Sequence, residues 1–295
     1  YHGLGVGKTC ASIGIAEGFR TGRQIVVLLN ASLKGNFEDN LMKCGYDLFR
    51  INQHWIFKDF SKEGVNEEWK KYANFLKIPK KAIKKNNGAW FVDFNQKSNY
   101  ELLSKSQQES LDLQVKEMIK TKYKFVHLDG LQEKALVKMN ENRDFDDKLL
   151  IVDEVHNLTN AMAKTFPGVR GRLLKTLIMN ASNLKLVFLS GTPMINNLFE
   201  VGQLFNLLRG NMQLFRLELN AKSSGMKLED LADILKNHKL VDQVIPKVKD
   251  NVINVSRSPY GFININNLGF EKSPENLMDN NTFIDNISSD IKKLG

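Results

Sequence analysis

Cysteine is scarce in this sequence: Cys10 and Cys44 are the only two in 295 residues. They form no metal-ligand spacing and no disulfide framework, which points to the reducing interior of a cell. Long apolar runs are missing as well. None approaches the ~20 residues that span a bilayer, so a membrane partner is not expected. A secretory signal is not expected, because the first residues carry glycine-rich chemistry instead. The expected setting is intracellular. No internal repeat is seen.

The rest of the composition is ordinary for a globular chain, 42% hydrophobic and 25% charged, enough for one large domain or two small ones. Lys and Arg number 42 against 33 Asp and Glu, a net charge of +9 with a pI near 9.3. Such an excess fits a nucleic-acid partner. It fits a soluble basic protein too, and the Lys and Asn richness is what an AT-rich genome produces without any function.

Glycine is concentrated where it matters, in Gly3-Leu4-Gly5-Val6-Gly7-Lys8-Thr9. Glycines let backbone N–H groups approach phosphate oxygens, and the helix that follows offers its positive N-terminus to the same anion. Lys8 would reach the β- and γ-phosphates, and the Thr9 hydroxyl would hold Mg²⁺. The cofactor-binding set is therefore Gly5, Val6, Gly7, Lys8, Thr9 and Cys10. The strict pattern wants glycine where His2 stands, so the match is to the shorter core from Gly5 to Thr9. The chain opens at Tyr1 without the strand that precedes such a loop, and the expectation is a protein that extends upstream.

Apolar runs at 25–29, 124–128, 149–152 and 184–189 alternate with helical stretches at 7–21 and 32–43 and between the later strands, with Ser32 as a plausible N-cap. This order predicts a parallel sheet covered on both faces. Residues 45–120 interrupt it with aromatic stretches (Trp55, Phe57, Phe60; Trp90, Phe91, Phe94), a charged helix near 66–76, a lysine cluster and a long polar helix near 100–121. They read as an insertion between core strands. After Gly210 a helix is expected near 228–236 and a strand at 252–255, followed by Arg257-Ser258-Pro259-Tyr260-Gly261-Phe262 and an Asn-rich, weakly patterned tail.

The strand at 149–152 ends in Asp153-Glu154-Val155-His156. Ligands bind at the carboxyl ends of parallel strands, which would aim Asp153 at Mg²⁺ and Glu154 at the attacking water. His156 is either a coupling residue between the γ-phosphate and the nucleic-acid side or a polar residue of the turn. A third strand end carries Ser190-Gly191-Thr192-Pro193, whose Ser190 and Thr192 hydroxyls would hydrogen-bond the acidic strand end and report the nucleotide state. Lys80, Lys81, Lys84 and Lys85, beside Trp90 and Phe91, would grip a nucleic-acid backbone. A solvated lysine cluster beside an ordinary core strand is the favoured alternative. Arg257 would touch DNA or a neighbouring nucleotide, though a turn set by Pro259 and Gly261 explains its spacing equally well.

Gly5 to Thr9, Asp153 to His156 and Ser190 to Asn196 resemble motifs I, II and III of superfamily 2 helicases, closest to the Swi/Snf-like branch. The strand at 26–29 with Asn30-Ala31-Ser32-Leu33 is similar to motif Ia, which touches the nucleic-acid backbone; Ser32 and Lys34 are its candidate contacts. More narrowly, residues 2–10, 153–158, 190–197 and 257–262 resemble the DNA-dependent ATPases of large DNA viruses, a group that includes the poxvirus early transcription factor small subunit, nucleoside triphosphatase I and giant-virus relatives.

The resemblance implies an α/β fold: a P-loop NTPase with a RecA-like parallel sheet, helices on both faces and an α+β insertion, first lobe only. Residues 1–210 would be the ATP-binding lobe, with 45–120 inserted in it. Residues 211–295 would begin an inter-lobe or accessory region. The resemblance implies ATP and Mg²⁺ as ligands and DNA, with RNA as the alternative, as the stimulating polymer. A viral RNA polymerase or transcription-factor subunit is the implied partner, in the virion or host cytoplasm. It also implies what is missing: no Q-x-x-G-R-x-x-R motif of a second lobe occurs before Gly295, and the motif that reads adenine is absent. ATP hydrolysis coupled to translocation or remodelling would then need the full-length protein, and the chain alone would turn over poorly. A non-hydrolysing ATP-binding scaffold that recruits polymerase is the alternative, disfavoured by Glu154, which a scaffold need not keep. A small kinase or AAA-type ATPase does not account for the two later motifs in this order.

Overall fold

The computed structural model describes residues 7–19, 22–60, 68–76, 78–79, 83, 86–163, 168–192, 198–210, 212–218, 227–247, 251–265 and 269–293. The chain divides into two compact units, residues 1–208 and 209–295.

In the first unit four parallel strands lie in the order β4-β1-β5-β6. They are β1 (Ile25–Leu29), β4 (Tyr123–His127), β5 (Leu149–Val152) and β6 (Lys185–Phe188). The β-branched, wholly apolar runs of β1 and β5 suit strands buried on both sides, and every residue in them is at most 1% exposed. Alternate side chains leave the sheet on opposite faces. Ile25, Val27, Leu29, Leu149 and Ile151 pack beneath α1 (Lys8–Gly18), α2 (Lys34–Cys44) and a long helix, Lys105–Lys122. Val26, Leu28, Leu150 and Val152 pack against three further helices, Glu133–Glu141, His156–Ala163 and Val169–Met179. The expected α/β sheet with helices on both faces is what the chain forms.

The in-register parallel pairing, Ile25 opposite both Tyr123 and Leu149, and Val152 opposite Phe188, brings every strand's carboxyl end to one edge. The turns after Leu29, His127, Val152 and Phe188 therefore share that edge.

Between α2 and β4 lie β2 (His54–Asp59), α3 (Glu68–Leu76) and β3 (Gly88–Asp93). The two strands pair antiparallel as a separate sheet. A side chain at Gly88 would sit 2.3 Å from the Lys58 carbonyl oxygen, so only glycine fits this crossing. Gln114 joins the hairpin to the long helix by receiving the Trp90 N–H (2.8 Å) and donating to the Trp90 carbonyl (2.8 Å). That helix, α4 (Lys105–Lys122), starts later than its pattern predicts. Ser104 and Gln107 form a capping box that breaks Tyr100–Leu102 off as a separate turn. The first helix after β1 likewise begins at Lys34, after a 3₁₀ turn over Ala31–Leu33, so Ser32 lies inside the turn and is not its N-cap.

One expectation is overturned. Cys10 and Cys44 are joined in a disulfide, with Cα atoms 5.8 Å apart and a sequence separation of 34. The pairing arises because α1 and α2 pack on the same face of the sheet, a proximity that sequence spacing does not reveal.

The second unit is antiparallel, with strand order β7-β9-β8: β7 (Leu214–Glu218), β8 (Val241–Lys247) and β9 (Val252–Arg257). It carries its own core, where Phe215, Leu235, Val241, Ile253 and Val255 meet Phe283 and Ile287 of the helix Asn280–Lys293. The Asn-rich tail is thus a packed element. Asn276, fully buried, donates to the carbonyls of Ser258 (3.1 Å), Pro259 (3.0 Å) and Phe262 (2.7 Å) and so fastens the loop after β9. Asn276→Ala should lower the unfolding free energy of this unit by about 3 kcal/mol, since the three carbonyls lose their donor and the Ser258 carbonyl among them is buried. The expected result is an earlier loss of far-UV circular dichroism in urea. Tryptophan fluorescence is the control, because Trp55, Trp69 and Trp90 all lie in residues 1–208.

Candidate active site

Gly7 caps α1 with φ +81°, a left-handed conformation that glycine adopts without strain. The Gly7 carbonyl receives the Ala11 N–H at 2.9 Å, which starts the helix. Lys8, Thr9 and Cys10 occupy this turn, all half-buried. Gly5 and Val6 lie outside the described residues.

At the end of β5 the chain turns through Asp153 and Glu154. The Asp153 N–H donates to the Leu28 carbonyl (3.0 Å) and the Val155 N–H to the Leu189 carbonyl (2.8 Å), so the acidic turn is pinned to both neighbouring strands. The Glu154 N–H donates to Asp153 Oδ1 at 3.0 Å. Glu154 itself adopts φ +50°. Most other non-glycine residues in that region here are Asn or Asp, which tolerate it; a glutamate carries roughly 1–2 kcal/mol of strain. Strained backbone of this kind concentrates at functional sites.

Burial holds the Asp153 carboxyl above the usual carboxylate range, and the neighbouring Glu154 charge pushes it the same way. The Glu154 amide and the positive charges of Lys8 and His156 oppose this shift. Lys8 and Asp153, 145 residues apart in sequence, therefore act on each other electrostatically across the carboxyl edge.

His156 opens the next helix with Nδ1 3.2 Å from Glu154 Oε2 and 3.1 Å from Ser190 Oγ. Ser190 Oγ also receives the Thr192 N–H at 3.1 Å. The strand end at 190–192 thus meets the acidic turn through the imidazole. Both hydroxyls were expected to hydrogen-bond the acidic strand end; that of Ser190 meets it at His156. Pro193 to Asn197 lie outside the described residues.

The remaining candidates are more dispersed. Ser32 is exposed at the carboxyl edge. Lys34 is paired with Glu38 at 3.7 Å and sits over the Phe125 ring. Asp129, which sequence reasoning missed, receives the Ala31 N–H on both carboxylate oxygens (3.2 and 3.3 Å) and so orders the turn that carries Ser32. Its only local signal is the Leu128-Asp129-Gly130 turn at a strand end. Lys80, Lys81, Lys84 and Lys85 lie outside the described residues. Trp90, the aromatic beside them in sequence, is 4% exposed and packs edge-on against Phe57, so its ring is not offered to a base. Arg257 donates to Asn276 Oδ1 (2.8 Å), Asn280 Oδ1 (3.1 Å), and the carbonyls of Asn276 (3.1 Å) and Met278 (2.6 Å), contacts that secure the turn around Pro259 and Gly261.

A parallel sheet with helices on both faces, a glycine-capped helix N-terminus and an acidic strand end on its carboxyl edge define a RecA-like P-loop NTPase fold. No family model matches the chain. It is similar to two proteins of Acanthamoeba polyphaga mimivirus that are named as ATP-dependent RNA helicases. R563 is 28% identical over 215 residues, covering 72% of this chain and 29% of that protein. L377 is 29% identical over 248 residues, covering 78% of this chain and 19% of that protein. A termination factor NPH-I homologue of African swine fever virus is 33% identical over 97 residues, 32% of this chain and 14% of that protein. The chain is similar to these viral helicases and to this NPH-I homologue, as its motifs implied, and it spans under a third of the length of each. Among the described residues no helix is long and apolar enough to cross a membrane.

The raised Asp153 value has a testable sign. A carboxyl that is harder to ionise when folded lowers stability at pH values above its folded value, and this cost disappears below its unfolded value. Asp153→Asn should therefore raise the melting temperature of the nucleotide-free protein at pH 7–8, with the gain fading as pH falls through the carboxylate range. Differential scanning calorimetry across pH 4–8 checks this. A constant difference at all pH values contradicts it.

Proposed function

We propose that this chain is the ATP-binding lobe of a helicase-type, DNA-dependent ATPase of a large DNA virus. In the full-length protein it couples ATP hydrolysis to movement along, or remodelling of, nucleic acid in transcription. The observation that carries the proposal is that Lys8 lies near enough to Asp153 for its charge to oppose the rise of that carboxyl's pKa, with Glu154 in a strained turn beside them.

The oxygen donors available, the Thr9 hydroxyl and the Asp153 carboxylate, suit Mg²⁺, which prefers few carboxylates and keeps several waters. Thr9 and Asp153 would hold the metal, whose charge would offset the negative charge of the phosphates. A carboxyl that burial and Glu154 keep from ionising easily is one that a bound cation would bring into its charged form. Lys8 and the first amides of α1 would bind the phosphates. Glu154 would orient the attacking water, and His156 would carry the state of that carboxylate to Ser190 and the strand end after β6. Phosphoryl transfer depends mainly on positioning and charge stabilisation, so these groups form half of a sufficient site. A second lobe in the full-length protein would supply the other half, and the chain alone would turn over slowly.

Charge favours the first unit as the nucleic-acid side. Of the 42 Lys and Arg only 12 fall in residues 209–295, against 11 of the 33 Asp and Glu, so the positive excess belongs almost wholly to residues 1–208. Ser32, Lys34 and the lysines at 80–85 are the proposed backbone contacts. The names of the mimivirus relatives make RNA the polymer to test beside DNA. The non-hydrolysing scaffold remains the second reading, and Glu154 is the residue that separates the two.

In the full-length protein Lys8→Ala should abolish nucleotide binding. Glu154→Gln should keep binding while lowering the nucleic-acid-stimulated kcat by a hundredfold or more, on the scale of lost catalytic base function. Equal transcription activity in the Glu154→Gln protein supports the scaffold instead. Replacing Lys80, Lys81, Lys84 and Lys85 together should flatten the salt dependence of nucleic-acid binding. An unchanged slope removes those lysines from the interface.

A further inference from the structure

The Cys10–Cys44 bond lies against the nucleotide site. Cys10 directly follows Thr9 in the first turn of α1, and Cys44 is the last residue of α2. The opposite end of α2 begins at Lys34, immediately after the turn that carries Ser32. One covalent link thus joins the helix that would meet the phosphates to the helix that follows the candidate nucleic-acid turn.

Cys44 is held in place by groups other than the bond itself. The Gly45 N–H donates to the Leu41 carbonyl at 2.9 Å, and a side chain at Gly45 would lie 2.4 Å from that same oxygen, so the exit of α2 is tightly defined. Arg50 Nε donates to the Gly45 carbonyl at 2.8 Å and fixes the following loop. Cys44 Sγ lies 3.1 Å from the Asn40 carbonyl, an acceptor for the thiol when the bond is open. Cys10 Sγ lies 3.7 Å from Asn40 Oδ1, so Asn40 sits beside both sulfurs, and the Cys10 backbone belongs to the first turn of α1. Both residues are half-buried.

We propose that Cys10 and Cys44 form a reversible dithiol–disulfide switch that sets the affinity of the nucleotide site; this rests on the nucleotide-binding role given above. In the forward direction a cysteine thiolate attacks a small-molecule disulfide and releases one small thiol. The other cysteine displaces the second, leaving the Sγ–Sγ bond. The two cysteine protons pass to the released thiols, the cysteines lose two electrons, and the small-molecule disulfide gains them. Closure orders the first turn of α1 before nucleotide arrives, so less ordering remains to be done on binding. The coupling is reciprocal: whatever factor the bond adds to nucleotide affinity, nucleotide must add to the stability of the bond.

The experiment uses the full-length protein equilibrated in glutathione mixtures of defined ratio, with Mg·ADP as the probe. The oxidised protein should bind about fivefold or more tightly than the reduced protein. Saturating Mg·ADP should raise the equilibrium ratio of disulfide to dithiol, read by thiol alkylation and mass spectrometry, by the same factor. Cys44→Ser should bind like the reduced protein in every mixture. A merely structural disulfide would move the melting temperature and leave affinity unchanged. Equal affinity in the two redox states therefore overturns the switch while leaving the nucleotide site standing, as does failure of the bond to form at any ratio. Formation of the bond with no Mg·ADP binding in either state overturns the nucleotide role and the switch together.

Discussion

Burial of β1 and β5 on both faces is the constraint on which the first unit depends. A strand with no solvent-facing side must be apolar throughout and must have helices above and below it. In this chain that requirement is met by two helical layers, one contributed by α1, α2 and α4 and the other by the helices between 133 and 179. Parallel pairing then brings every strand's carboxyl end to the same edge. The polar residues that interrupt the apolar runs, Asn30 after β1 and Asp153 after β5, fall at that edge because the strands end where burial ends.

The same arrangement explains why the acidic turn is under tension. Its backbone is tied to Leu28 on one side and Leu189 on the other, which leaves Glu154 in a left-handed conformation and Asp153 half-buried beside it. Neither condition favours the isolated fold. Both become useful if a cation and a polyphosphate complete the charge balance, and sites that bind such ligands are often less stable than the scaffold that carries them. His156 gives the turn a second connection, since one imidazole nitrogen lies within hydrogen-bond reach of both Glu154 and Ser190. Under the proposed function, that one side chain would carry a change at the carboxylate to the end of the neighbouring strand.

The parts of the chain differ in how openly their pattern declares their structure. Strands β1 and β5 are continuous β-branched and leucine runs, and their position in the sheet follows from that alone. The hairpin β2–β3 is not legible in this way. Trp55 and Trp90 are buried while Ile56 and Phe57 on β2 stay exposed, so no clean alternation marks the strands. The break at Ser104 is readable from its capping box, but the polar pattern runs through it and masks the boundary. In residues 209–295 the strands are short and antiparallel, and the helix Asn280–Lys293 has only Phe283 and Ile287 fully buried. Phe283, Ile284, Ile287 and Ile291 recur at helical spacing and close the core of that unit, but they are set among Asn, Asp and Ser residues that mask the pattern.

The sequence by itself determined the class of fold, the position of the glycine-capped helix and the acidic strand end, because each depends on neighbours within a few residues. Glycine at 7, an apolar run before Asp153 and a polar turn after Phe188 impose their local conformations wherever they occur. The tertiary structure alone decided the Cys10–Cys44 bond, the bridge from Glu154 through His156 to Ser190, the support of Ala31 by Asp129 and the clasp of Trp90 by Gln114. Each of these links residues between two and ninety-eight positions apart. The longer links depend on how helices and strands pack together, and the two-residue contact depends on the unusual backbone that packing imposes at Glu154.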